Sequence, residues 1–164
     1  MFYDGDKAYS PLVCIGKNVP VSPTDTICSL CVSPAGRIAI VEQDPYSRGE
    51  SGADFVSRVM SHIDVLRKWD CDKLDEIAAD YFYETTGQAA RGIDIMAMRG
   101  YLTWSGKHDF FAGVNAGFQK DAILVIIPVK SDELAMRKVE FSQGSIGRSD
   151  LLISLVEKTA DSQF

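Results

Sequence analysis

The chain has 164 residues, 46% of them hydrophobic and 24% charged, with a formal charge of −6 from 17 basic and 23 acidic side chains. A globular domain of this size buries a core without disulfides or metal, and the acidic balance argues against broad, non-specific binding to nucleic acid or anionic membrane. The start, MFYDGDKAYS, has neither the basic nor the apolar region of a secretory signal, and the longest apolar run, AILVII at 122–127, is too short to span a bilayer. The expectation is one domain over 1–164 with a flexible lead at 1–8, soluble and cytoplasmic.

YSPLVCIGK (9–17) reads as a short strand, and NVPVSPTD (18–25), with Pro20 and Pro23, as a loop. The stretch TICSLCV alternates, RIAIVEQ (37–43) is rich in branched residues, and SPAG between them has turn chemistry; together they predict a hairpin. From Ser51 the period changes. Phe55, Val56, Val59, Met60, Ile63, Leu66 and Trp69 recur at three and four residues, a helical stripe opened by Ser51 and Asp54 as a capping box. A second helix follows over 72–85, with Leu74, Ile77, Ala78, Tyr81 and Phe82 on one face and Gly87 as its C-terminal cap.

GIDIMAMRGYLTW (92–104) fits a strand, with a short helix through GQAARGIDIMAM (87–98) competing, and HDFFAGVNAGF (108–118) fits a helix or an irregular strand. DAILVIIPV (121–129) is a buried strand, MRKVEFS (136–142) reads as the next strand, and RSDLLISLVEKTA (148–160) as a closing helix. The order predicts an α+β fold, a mainly antiparallel sheet with helices packed on one face. In outline it resembles the profilin-like, roadblock-like and sensor-type layouts, without sharing a motif with them.

Four cysteines do not make a disulfide scaffold. Cys28 and Cys31 have C-x-x-C spacing, but a zinc site sets that spacing around a tight turn, whereas residues three apart on a strand face opposite sides. A redox motif would place the first cysteine at a helix N-terminus. The flanks predict a strand, so both read as small, partly buried hydrophobes, and neither a metal nor a cofactor is implied. His62 is expected on the surface of the first long helix. His108 has Trp104, Phe110 and Phe111 nearby, aromatics able to wall a pocket. Gly144, Gly147 and Arg148 in SQGSIGRSD open the predicted last helix, where free N–H groups and Arg148 suit an anion, although the spacing of a phosphate-binding loop is missing.

The second helix holds the strongest signal. Asp70, Asp72, Asp75, Glu76, Asp80 and Glu84 stand against Lys73 alone, leaving −5 of the chain's −6. Asp72, Glu76, Asp80 and Glu84 are four apart and form one stripe, a repulsion of about 0.2–0.5 kcal/mol per pair. A charge run of this kind is usually a solvated face that aids solubility; otherwise Arg58, Arg67 and Lys68 of the preceding helix neutralise it, or a basic partner does. Tyr83 is expected beside it, an aromatic suited to recognition. The sequence thus favours a small acidic binding protein of inhibitor, immunity or adaptor type, acting on a protein with a basic surface through Asp72, Glu76, Asp80, Tyr83 and Glu84. It gives no direct contact with nucleic acid or membrane and no enzyme signature. The alternative is a small enzyme or ligand-binding domain built on Trp104, His108, Gly144, Gly147 and Arg148.

Overall fold

A computed structural model describes residues 12–119, 123–143 and 151–160. Its layout is α+β. The strands β1 (Val13–Ser22), β2 (Asp25–Val32), β3 (Ile38–Val41), β4 (Ile123–Val129) and β5 (Leu151–Glu157) form one sheet in sequence order. β1, β2 and β3 run antiparallel, while β3, β4 and β5 run parallel. The sheet is therefore mixed rather than mainly antiparallel. Parallel neighbours need crossovers. The first holds α1 (Gly52–Leu66), α2 (Cys71–Thr86), α3 (Gly92–Met98) and α4 (Lys107–Gln119); the second holds α5 (Leu134–Gln143).

Local chemistry fixes the element ends. In the predicted hairpin, Gly36 N–H donates to Ser33 O at 2.8 Å, and Gly36 takes φ +81°, which favours glycine. Ser51 caps α1 by accepting from the Asp54 N–H at 3.1 Å, and its hydroxyl donates to the Asp54 carboxylate at 2.7 Å. Asp70 caps α2 by accepting from the Lys73 N–H at 2.9 Å, and Gly87 ends it in the left-handed conformation.

One large core joins Phe55, Val59, Ile63 and Leu66 of α1, Leu74 and Phe82 of α2, Val114 of α4 and Phe141 of α5 to the sheet. The other parity of the strands, Cys14, Cys31, Ala39, Val41, Leu124 and Ile126, forms a second buried cluster. β3 and β4 contribute to both, so they read as unbroken apolar runs.

Three expectations change. The segment at 18–25 is not a loop, because β1 runs through Pro20 to Ser22. β1 is an edge strand, where a missing N–H is tolerated. The segment at 136–142 is helix α5, with Arg137 and Phe141, one turn apart, buried while Met136 and Val139 are exposed. The segment expected as a closing helix carries β5, whose Leu151 and Ile153 alternate into the core. A short apolar run without a partner in view fits either element. In the two ambiguous stretches the helical options hold, as α3 and α4.

Candidate functional site

Three polar residues, Glu42, Gln43 and Asp44, follow directly on β3, whose last residue Val41 pairs with Ser29 of β2. Two of them anchor ion networks. Glu42 is 1% exposed; its Oε1 lies 2.8 Å from His62 Nδ1 and its Oε2 accepts from Arg58 at 2.7 Å. The other imidazole nitrogen lies 2.7 Å from Asp25 Oδ2, and Arg58 grips Glu50 through two bonds of 3.0 and 2.9 Å. Burial opposes a charge on His62, but the hydrogen bonds it donates to Glu42 and Asp25 outweigh it and raise its pKa. His62 is thus buried at 1% exposure rather than on the helix surface. Position 62 falls one residue before Ile63 and within one turn of Val59 and Leu66, so α1 turns it inward with them. The second network centres on Arg137, whose Nε donates to Asp44 at 2.7 Å and whose other nitrogens reach Glu140 and Glu133 at 2.8 and 3.4 Å. Nothing in the sequence but the EQD at the end of an apolar strand marks these residues.

Beyond the carboxyl ends of β3 and β4 lies a cavity of about 350 Å³, with Glu42, Asp44, Ser29 and Cys28 in its wall and Lys130 and Lys158 beside them. Its thiol is not an activated nucleophile, because burial first, and Glu42 second, push the Cys28 pKa up. Cys28 and Cys31 lie on β2, as the flanks require. Cys31 belongs to the second buried cluster, directly across from Cys14 of β1, and its hydrogen bond to Cys14, with burial second, pushes it well above the usual thiol range. Among the described residues no group of three metal-capable side chains converges.

The acidic face of α2 is on the surface. Asp72, Glu76, Asp80 and Glu84 are exposed, and Tyr83 beside them is 59% exposed. Glu76 pairs with Lys73 at 2.9 Å on the same helix, while Asp72, Asp80 and Glu84 have no ion pair among the described residues. No ion pair joins the preceding cations to them: Arg58 is engaged with Glu42 and Glu50, Arg67, just past the end of α1, lies 4.0 Å from Asp64, and Lys68 has no ion pair among the described residues. Asp75 lies off the stripe and is half-buried. It accepts from the Ile93 N–H at 2.7 Å and from Arg91 at 3.0 Å, tying the start of α3 to α2.

Of the residues of the alternative pocket, Trp104 is 65% exposed, its ring covered by Lys107 at 3.8 Å. His108 is exposed on the first turn of α4, Phe110 is in the core, and Phe111 packs half-buried at its edge. Gly144, Gly147 and Arg148 lie outside the described residues. Among the described residues no helix is long and apolar enough to cross a membrane. Comparison with family models, curated proteins and solved structures finds no match.

Proposed function

We propose that this chain is a binding protein that engages a protein with a basic surface through the acidic face of α2. The observation that carries the reading is the set of exposed carboxylates of Asp72, Asp80 and Glu84, unpaired among the described residues and next to the exposed ring of Tyr83. Spacing of four residues makes Asp72, Glu76, Asp80 and Glu84 repel one another, and Asp80 and Glu84 sit toward the helix end where negative charge is disfavoured. The partner's lysines or arginines would offset both costs. Tyr83 adds a rigid, amphipathic contact at the edge of the charged stripe.

The test compares wild type with D80K/E84K. Affinity capture from native host lysate at low and moderate salt identifies the partner, and titration of the purified partner gives the affinity. The expected result is a stoichiometric partner whose binding weakens with salt and falls by at least about tenfold in the reversal, the scale of two lost charge pairs. The fold of the variant is checked by its melting temperature, which should not fall: positions 80 and 84 still carry like charges, but Glu76 now faces a lysine at four-residue spacing, an attraction of about 0.2–0.5 kcal/mol in place of a repulsion, and both lysines suit the C-terminal half of the helix. Equal affinity in the folded variant, or no partner at either salt, refutes the reading.

A further inference from the structure

The cavity at the end of β3 and β4 carries charges that the α2 surface does not explain. Lys158 N–H donates to Val129 O at 2.8 Å, continuing the β4–β5 register one step past Val129 and Glu157. Lys130 and Lys158 are therefore neighbours across that register. Both are exposed, both line the cavity, and neither has an ion pair among the described residues. Like charges directly opposite on adjacent strands are destabilising. The carboxylates in the same wall do not relieve them, because each already holds a cation of its own: Glu42 holds Arg58 and His62, and Asp44 and Glu133 hold Arg137.

A second observation comes from Ser29. It lines the cavity at 5% exposure, and its hydroxyl has no hydrogen-bond partner among the described residues. An unpaired buried hydroxyl is costly, and an acceptor oxygen in the cavity satisfies it. The location is also the one that parallel sheets reserve for ligands, since beyond the carboxyl ends of the strands the loops wall an open space.

We infer that this cavity binds a small phosphate monoester, with Lys130 and Lys158 holding the phosphate and Ser29 donating to one of its oxygens. The charge of such a group, about −2 near neutrality, matches two lysines, and its oxygens accept several bonds at once. A monocarboxylate brings half that charge. The volume of about 350 Å³ lies at the lower end of small-molecule sites and suits a ligand the size of a sugar phosphate.

Ribose 5-phosphate is the probe, ribose the control, and the readout is a backbone amide NMR titration of the full chain at constant ionic strength. Ribose 5-phosphate should give saturable shifts at Ser29, Lys130 and Lys158, and ribose none. K130Q and K158Q, both at exposed positions, should each weaken binding roughly tenfold. S29A should weaken it by a smaller factor and leave the melting temperature unchanged or higher, because it removes an unpaired polar group. D80K/E84K should bind the probe as wild type does. Absence of saturation, shifts centred elsewhere, or unchanged affinity in the folded K130Q/K158Q variant overturns the inference.

Discussion

Glu42→Gln probes the junction between α1 and the β2–β3 pair. Both carboxylate oxygens are in use, one toward His62 at 2.8 Å and one toward Arg58 at 2.7 Å, and the side chain is almost completely buried. Glutamine keeps the shape but turns one acceptor into an NH2 donor. That donor faces either the guanidinium, where donors are already present, or the imidazole Nδ1, which accepts it only if His62 gives up its second proton. A hydrogen bond to a charged group is worth about 1.5–3 kcal/mol, and breaking a buried pair by removing one partner costs about 3–5 kcal/mol. Arg58 keeps its two bonds to Glu50, so the lower end applies, roughly 3 kcal/mol. For a chain of this length that lowers Tm by about 6–12 °C.

The same variant should change the pH dependence. The His62 pKa is raised above 6.5 in the folded state, so its stabilising contribution is complete below 6.5 and is lost as pH rises through the folded value. Asp25 behaves oppositely. The hydrogen bond from His62, against burial, lowers it below 3.8, so its contribution is present above 3.8 and is lost as pH falls through the folded value. Wild type should therefore lose stability as pH is raised above 6.5, and E42Q should lose less over the same interval. Urea unfolding followed by circular dichroism at several pH values measures both. A variant within about 1 kcal/mol of wild type, below the usual cost of breaking a buried pair, with an unchanged pH slope would refute the role assigned to Glu42.

Two glycines with similar backbone angles should respond differently to alanine. Gly36 has φ +81°, and a Cβ there runs into the Phe110 carbonyl oxygen and meets the Val114 nitrogen at 2.6 Å; Gly87 has φ +70° and open space around it. G87A should cost only the left-handed penalty of about 1–2 kcal/mol, whereas G36A should cost clearly more, both read by urea unfolding. Asp75→Ala removes the acceptor of the Ile93 N–H and the partner of Arg91. It should destabilise by about 1–2 kcal/mol, in line with the loss of a helix cap, and raise amide exchange at the start of α3 before the rest of the chain.

Sequence reasoning read local chemistry well. The Ser33–Gly36 turn, the Ser51 helix start and the Gly87 stop depend on side chains within four residues of the groups they satisfy, whereas the Asp70 cap of α2 lies before the start expected at 72. The amphipathic stripes of α1 and α2 were legible for the same reason, since a helix repeats its face every turn whatever it packs against. The exposure of the acidic stripe also follows from its separation from Leu74, Ala78 and Phe82 on the buried face.

Tertiary structure decided what depended on distant partners. DAILVIIPV and LLISLVE are both short apolar runs, and the second becomes a strand because β4 offers it a parallel ladder from Leu151 to Glu157. The segment between them is a helix because parallel strands cannot be joined by a tight turn. His62 is buried because Glu42 and Asp25, 20 and 37 residues away, supply carboxylates to both ring nitrogens. Nor could the sequence tell that Arg58 serves those carboxylates rather than the stripe on α2, or that Lys130 and Lys158 stand together. Propensity and capping act over a few residues and are written in order along the chain, whereas burial, ion pairing and cavities depend on which strands become neighbours.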